Sequence, residues 1–226
     1  MIGRTPETSL DIRFRVGPIP VRVHPFFWMT GIFIVWNPYQ HDPPMLLMAV
    51  LAVFLSVLIH ELGHATMTRL FGWPSEIVLG FLGGYATTAR TSTGRNLVVL
   101  FAGPVAGFSL AAAAYLGLLG LARVDEVPQR VAQTLGFLVF INIAWSVLNL
   151  VPVLPLDGGQ IAREILVWFN PGRGEQRAML LSAVVGAVTA VAGYFLLRQM
   201  FLGILFGMFA YQNFAGWQML RRGGWS

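Results

Sequence analysis

Residues 44–71 read PMLLMAVLAVFLSVLIHELGHATMTRLF and contain the most informative feature of the chain. Residues 45–59 are apolar with one exception, and an apolar stretch of this length predicts a membrane-spanning helix. The same stretch continues into His60, Glu61 and His64. A charged residue at the centre of a span costs roughly 2.5–3.5 kcal/mol on insertion scales. Ionisable residues in such a place therefore indicate a functional site.

The spacing of these residues indicates which kind of site it is. Residues four apart lie on one face of a helix, so the imidazoles of His60 and His64 can bind one zinc ion. Glu61 then lies beside the metal, where a carboxylate can move a water proton. The pattern predicts a zinc-dependent hydrolase. The alternative is a divalent-metal transporter or a metal-binding membrane protein that uses the same intramembrane ligands, but it gives Glu61 no role.

Composition supports a membrane protein. The 226 residues are 56% hydrophobic and only 11% charged, and apolar runs leave no room for a second soluble domain, so we expect one domain over residues 1–226. The net charge of +5 comes from fifteen arginines without a lysine. The arginines separate apolar segments and form no patch, which argues against nucleic acid as a partner. Because there is no cysteine, disulfides and thiolate metal sites are excluded.

Apolar runs predict six spans, at residues 25–36, 45–71, 96–121, 131–150, 178–197 and 200–220. With a cytoplasmic N-terminus, twelve arginines lie on the cytoplasmic side and three on the outer side, as the positive-inside rule requires. We therefore expect both termini in the cytoplasm and a location in a prokaryotic cytoplasmic membrane. Residues 1–16 lack the apolar core of a cleavable signal, so we expect the first span to serve for targeting.

Two segments have strand patterns. Residues 12–23 alternate around Gly17-Pro18 and predict an amphipathic β-ribbon, within a cytoplasmic surface segment of residues 1–24. Residues 76–90 carry Gly83-Gly84 at their centre and predict a β-hairpin, with a glycine-rich loop as the alternative. The predicted fold class is an all-α integral membrane protein of about six transmembrane helices with a small β-ribbon and hairpin on the cytoplasmic side.

Asp157 is a candidate for a third metal ligand. Catalytic zinc usually has three protein ligands, and apart from Glu61 this is the only acidic residue between otherwise apolar segments. Pro152 and Pro155 cannot continue a regular helix, so the backbone before Asp157 must unwind. Unwound backbone at membrane depth is tolerated only where it is buried or lines a wet cavity. An ordinary proline–glycine turn capped by an aspartate is the alternative interpretation.

The combination of motifs resembles the site-2 proteases, zinc metalloproteases that cleave membrane-spanning segments of other proteins. The resemblance lies in residues 60–64, HELGH, and in residues 149–158, NLVPVLPLDG, and it covers residues 25–165 as a catalytic core with three main spans. Residues 178–220, with two further spans, match only in general character. The resemblance implies an intramembrane endopeptidase whose partners are the lipid bilayer and a membrane-spanning protein substrate.

The same resemblance assigns the site residues. It implies that His60, His64 and Asp157 bind one Zn²⁺, that Glu61 is the general base, and that Asn149 helps to hold the substrate or the developing oxyanion. It also implies that the hairpin of residues 76–90 engages an unwound substrate strand.

The chain departs from the family pattern in its middle core span. The family often has asparagine four residues after the glycine of a Gly-Pro pair, whereas this chain has Gly107 after Gly103. Glycines four apart favour close helix packing, and we expect packing here rather than a catalytic role. Asn142 lies one heptad before Asn149, and we expect it to bond another helix.

Overall fold

The computed structural model describes residues 6–80, 83–86, 92–123 and 128–223. The helices are α1 (Pro25–Tyr39), α2 (Pro43–Leu70), α3 (Thr93–Leu121), α4 (Gln129–Asn149), α5 (Asp157–Phe169), α6 (Gly174–Val191) and α7 (Met200–Gly223). A π-helical turn, Ala192–Leu196, continues α6. The strands are β1 (Ile12–Val16), β2 (Ile19–Val23), β3 (Ile77–Gly80) and β4 (Gly83–Ala86).

Contacts divide the chain into two compact units. The first comprises Met1–Arg90 with Phe101–Ser146, and the second comprises Thr91–Leu100 with Val147–Ser226. The first unit therefore contains the strands, α1, α2 and most of α3 and α4. The second contains α5, α6 and α7. That the whole chain is one protease domain remains a prediction.

The first unit contains one four-stranded sheet in the order β1-β2-β3-β4. The predicted ribbon is confirmed, because β1 pairs antiparallel with β2 and Val16 faces Ile19 across a turn in which Gly17 has φ +56°. The predicted hairpin is confirmed as the antiparallel pair of β3 and β4. Its glycines are placed differently, however. Gly83 and Gly84 pair within β4, and residues 81 and 82 lie outside the described residues.

A parallel pairing between β2 and β3, which the sequence analysis did not predict, joins the ribbon to the hairpin. The sheet is tied to the start of α1, because the backbone N–H of His24 donates to the carbonyl of Leu79 at 2.9 Å. The strand residues Val21, Val23, Ile77 and Leu79 are at most 2% exposed and form one apolar core with residues of α1 and α2. The sheet is therefore an integral part of the first unit.

In the second unit, α6 and α7 form a helical pair joined by a short connection. The tight turn predicted at residues 198 and 199 is confirmed, since Arg198 has φ +52° and Gln199 donates its backbone N–H to the carbonyl of Gly193 at 2.9 Å. Val153, Phe206 and Phe209 are nearly fully buried and form the centre of this unit's core. Helix α5, between the fourth and fifth predicted spans, was not predicted from the sequence.

Four helical segments of the described chain are long and apolar enough to cross a membrane: Pro43–Leu70, Thr93–Leu121, Gln129–Asn149 and Gly174–Phe195. The predicted spans 45–71, 96–121, 131–150 and 178–197 correspond to these segments, with ends that differ by up to four residues. Helix α1 has only 15 residues, fewer than the roughly 20 that a perpendicular span needs. The fold is thus mostly helical with four candidate spans, and a total of six stays a prediction.

Candidate metal centre

Helix α2 places the two predicted histidine ligands side by side in the interior. The helix is unbroken through the motif, so its 3.6-residue repeat brings residues 60 and 64 onto one face. His60 is 2% exposed and His64 is 6% exposed, and their Nε2 atoms lie 3.2 Å apart. Two nitrogens bound to a tetrahedral zinc ion at 2.0–2.1 Å lie about 3.3 Å apart. The histidine pair therefore has the spacing that zinc requires.

Glu61 lies next to His60 on the same helix and is only 4% exposed. A carboxylate this deeply buried must be compensated by interactions with its surroundings, because burying an isolated charge is strongly unfavourable. Its place beside a ligand histidine, one residue along the helix, fits a group that acts on a water molecule near the metal.

Gly103 of α3 makes room for the histidine nitrogens. A methyl group in place of its hydrogen would overlap the Nε2 atoms of both His60 and His64. On the same two helices, a methyl group on Gly63 would overlap the backbone of Ala102. The predicted close packing at Gly103 is therefore confirmed. Its consequence, an open space at the two ligand atoms, was not predicted.

The backbone unwinds before Asp157, as the prolines predicted. Helix α4 ends at Asn149 and α5 begins at Asp157, with residues 150–156 outside regular helix. Asp157 is 8% exposed and lies in the first turn of α5. A carboxylate there is stabilised by the positive end of the helix dipole. The loop is held by local bonds such as that from the backbone N–H of Leu156 to the carbonyl of Val153, at 2.9 Å.

Two glycines allow this loop to pack directly against the start of α5. A side chain on Gly158 would overlap the carbonyl of Leu150, and one on Gly159 would overlap the backbone of Val153 and Leu154. Backbone approaches this close are open only to glycine. The two glycines therefore fix the position of the loop on α5.

The three predicted ligands come together. His60, His64 and Asp157 are all buried, each offers one ligand atom, and these atoms lie within 4.8 Å of one another. Imidazole nitrogen and carboxylate oxygen are a common donor set for catalytic zinc. The residues present thus fit one zinc ion.

The other predicted site residue, Asn149, is the last residue of α4 and is half-buried. Its role toward the substrate or the oxyanion remains a prediction.

Asn142, expected to bond another helix, does so. Its Nδ2 donates to Ser56 Oγ at 2.9 Å and to the carbonyl of Leu138 at 2.8 Å. Gly107 stands where the family often has asparagine. A side chain there would overlap Ser146 Oγ, which again indicates close packing.

Two polar residues near the site were missed. Ser182 of α6 and Asn213 of α7 are 1% and 7% exposed, and both hydrogen-bond the backbone of Leu154 in the loop before Asp157. The signal that could have found them is the one that led to Asn142, a polar side chain within an apolar helix.

A chain that buries the His60–Glu61–His64 motif on a long apolar helix, together with a buried carboxylate, has the donor set typical of zinc-dependent hydrolases. Comparison with known proteins agrees. The model of peptidase family M50 matches residues 48–127 and 117–193, more than half of the chain. The chain belongs to this family, which is that of the site-2 proteases.

Individual relatives include a sporulation protein and a zinc metalloprotease. The chain is 31% identical over 149 residues to stage IV sporulation protein FB of Bacillus subtilis, a match covering 63% of this chain and 46% of the relative. It is 27% identical over 154 residues to a zinc metalloprotease of Methanocaldococcus jannaschii, covering 68% of this chain and 44% of the relative. The chain thus spans about half the length of these curated relatives.

A solved structure shares the fold. The site-2 protease from Methanocaldococcus jannaschii superposes with a TM-score of 0.63 at 21% identity, over 90% of this chain and 93% of that one. The likeness supports the helical architecture described above. The family match, for its part, favours a zinc metalloprotease over the metal transporter considered from the sequence.

Proposed function

We propose that this chain hydrolyses peptide bonds in membrane-spanning segments of other proteins, with one zinc ion bound by His60, His64 and Asp157. The observation that supports this most is the convergence of these three buried side chains within 4.8 Å, next to the buried carboxylate of Glu61. A binding or transport site would need the three ligands but not the fourth group.

The mechanism assigns each side chain a separate task. Zinc, when bound, supplies Lewis-acid polarisation of the scissile carbonyl and of a water molecule. Glu61 takes a proton from the attacking water as the new C–O bond forms. It then passes that proton to the amide nitrogen as the C–N bond breaks, which gives a carboxylic acid and an amine. Asn149 is proposed to stabilise the oxyanion by donating a hydrogen bond from its side-chain amide.

The arginines support a proposal for the location and orientation of the chain. We place it in a prokaryotic cytoplasmic membrane, with six spans, both termini and the β3–β4 hairpin on the cytoplasmic side. The twelve-to-three distribution of arginines supports this topology. Reporter fusions after residues 41 and 125 should report the outer side. A cytoplasmic signal from either position would contradict the orientation.

The sheet suggests how an unwound substrate is held. Strand β4 is an edge of the sheet, so an extended segment can pair with it as a fifth strand. Strand β3 is unsuitable, because Leu79 is fully buried and its carbonyl already accepts the backbone N–H of His24. Leu79 pairs with Gly84, and because its carbonyl is bonded on the β2 side, this pair is of the non-hydrogen-bonded kind. The pair of Ile77 with Ala86, two residues further along, is then of the same kind, so the N–H of Ala86 points away from β3.

Proline substitutions at the two edges of the sheet test substrate pairing. Ala86→Pro removes an outward N–H from β4, and we expect it to lower cleavage while zinc content and folding persist. Arg15→Pro is the matched control. The two-residue turn between Val16 and Ile19 makes them a hydrogen-bonded pair, so the N–H of the preceding Arg15 lies on the outer side of the opposite edge strand β1. Equal effects of the two substitutions on cleavage would remove β4 as the substrate strand.

The decisive test of the activity is Glu61→Gln. Glutamine keeps the size of the side chain but cannot accept the water proton. Comparative proteomics of membranes containing the parent or the variant identifies the peptides that the parent releases. Their release by the variant should fall by a factor of about 10²–10⁴, with zinc retained. Release at the parent rate would refute the mechanism, and zinc flux without any released peptide would indicate the transporter.

A further inference from the structure

The loop that leads to Asp157 is held at a single residue by two helices. The backbone N–H of Leu154 donates to Ser182 Oγ of α6 at 3.1 Å. Its carbonyl accepts a hydrogen bond from Asn213 Nδ2 of α7 at 2.7 Å. The backbone N–H and the carbonyl of Leu154 are thus both bound by side chains from other helices of the second unit.

These two contacts come from buried polar residues in otherwise apolar helices. Ser182 is 1% exposed and Asn213 is 7% exposed, and Asn213 Nδ2 also donates to the carbonyl of Phe209 at 2.8 Å. Polar side chains in membrane helices are unfavourable unless they are bonded, so their usual place is at a contact. Here that contact is the irregular backbone three residues before the proposed zinc ligand.

The constraint on Leu154 passes directly to Asp157. Gly159 fits against the backbone of Val153 and Leu154 without room for a side chain. In addition, Gln160 Nε2 donates to the carbonyl of Pro155 at 3.1 Å, which ties α5 to the loop a second time. A displacement of Leu154 would therefore shift the first turn of α5, where the carboxylate lies.

We propose that Ser182 and Asn213 are positioning residues for Asp157, which they orient toward the metal by fixing both polar atoms of Leu154. This inference rests on the proposed zinc site and assigns a task in that site to α6 and α7. Both side chains act through the backbone of Leu154. Their effect appears in the affinity and geometry of the bound ion.

The test is zinc affinity, measured on the full chain by competition with a chromophoric chelator, together with the absorption spectrum of the cobalt-substituted protein. Asn213→Ala and Ser182→Ala should each weaken zinc binding by about 10- to 100-fold, as removal of an outer-shell partner typically does, and change the cobalt spectrum. If Asn213→Ala does not fold, Ser182→Ala decides the matter, because it removes only one oxygen atom.

Asn142→Ala is the matched control. Like Asn213, Asn142 is buried, donates to the carbonyl four residues earlier, and makes one bond to a different element. It should lose comparable stability with an unchanged cobalt spectrum. Full zinc affinity in folded Asn213→Ala and Ser182→Ala would overturn the inference. Unchanged zinc in Asp157→Ala would instead overturn the proposed ligand set, so the two failures are distinct.

A separate basic surface lies where α6 begins and α7 ends. Two adjoining pockets, of about 290 and 260 Å³, share Trp217 and Arg221. Four arginines line them: Arg173, Arg177, Arg221 and Arg222. The remaining lining residues carry no negative charge, and the guanidinium carbon of Arg221 lies 5.4 Å from the centre of the Trp217 ring. We call this surface the arginine pocket.

The arginine pocket has the chemistry of a phosphate site at a membrane surface. Arginine binds phosphate oxygens through paired N–H groups, and tryptophan favours the interface between lipid and water. Basic pockets at the ends of membrane helices bind anionic lipid head groups. We infer that the arginine pocket binds the phosphate of an anionic phospholipid.

Native mass spectrometry of protein mixed with phosphatidylglycerol or phosphatidylcholine tests the lipid site. The parent should retain phosphatidylglycerol preferentially, and Arg177→Gln with Arg221→Gln should weaken retention by about 10- to 30-fold. Arg13→Gln with Arg15→Gln on β1 is the charge-matched control. Equal retention by both double variants would overturn the site. Displacement of the lipid by millimolar inorganic phosphate would assign the pocket to free phosphate.

Discussion

The two sides of the proposed zinc site are built in different ways. On one side, the regular geometry of α2 alone brings His60 and His64 onto one face, with their Nε2 atoms 3.2 Å apart. On the other side, Asp157 follows seven residues of irregular backbone that depend on glycine packing and on side chains of distant helices. A helix thus positions ligands by its own repeat, whereas a loop needs contacts from the rest of the fold.

Gly103→Ala should have the largest effect among substitutions outside the ligands. The new methyl group would overlap the Nε2 atoms of both histidines, so the two imidazoles would have to turn away from the geometry in which they share one metal ion. Overpacking of 1–3 kcal/mol corresponds to a loss of zinc affinity of up to about 100-fold. Gly120→Ala in the same helix is the control, since nothing lies within 4 Å of its new methyl group. Unchanged zinc affinity in Gly103→Ala would contradict the packing described here.

Gly159→Ala tests the loop side and should have an intermediate effect. The methyl group would overlap the backbone of Val153 and Leu154, but an irregular segment can shift to accommodate it. We expect zinc affinity to fall by about 10-fold, at the lower end of the overpacking range. Chelator competition measures it, with Gly136→Ala in α4 as a control in open space. A loss larger than that of Gly103→Ala would show that the loop is the more rigid side.

Thr68→Val tests whether the helix side of the zinc site, unlike the loop side, holds its ligand without side-chain support. Thr68 Oγ1 donates to the carbonyl of His64 at 2.8 Å, so this substitution, like Asn213→Ala, removes a side-chain bond to backbone near a ligand. Because the helix itself holds His64, we expect a stability loss of about 0.5–1.5 kcal/mol with zinc affinity unchanged. Thermal unfolding and chelator competition on the same sample give both quantities. Weakened zinc binding would mean that the helix repeat is insufficient.

Asp11→Asn should have the smallest effect, since Asp11 belongs to neither the helix side nor the loop side of the zinc site. Hydrogen bonds from Thr8, together with the Arg22 guanidinium at 2.9 Å, hold the pKa of the Asp11 carboxyl well below its ordinary value. A lowered pKa stabilises the fold above the ordinary value of about 3.9, and this contribution is lost as the pH falls through the folded-state value. Asp11→Asn should therefore lower the unfolding temperature slightly at pH 7 and leave zinc affinity unchanged. A destabilisation that persists undiminished at acid pH would contradict this assignment.

The contrast between helix and loop also explains what the sequence could predict. His60, His64 and the spans around them follow from local periodicity, and the unwound backbone before Asp157 follows from Pro152 and Pro155. The parallel pairing of β2 with β3 depends on residues more than fifty positions apart, for which no local pattern exists. Ser182 and Asn213 were missed for the same reason, because their partner is backbone that any residue could supply.

The glycines also show which features the sequence could not predict. The pair Gly83-Gly84 predicted a hairpin correctly but suggested a turn at these residues, whereas they lie in β4. Gly103 was correctly predicted to pack closely, yet only tertiary structure identifies the histidines as its neighbours. Sequence indicates that a close approach occurs, and the fold decides what approaches.

Zinc content tests most directly whether the helix and the loop bind one metal ion together. Elemental analysis of the purified full chain should find one zinc ion per molecule. His60→Ala, His64→Ala and Asp157→Ala should each lose most of that zinc while remaining folded, whereas Glu61→Gln should retain it. Full zinc occupancy in Asp157→Ala would contradict the claim that a helix and a loop together hold the metal.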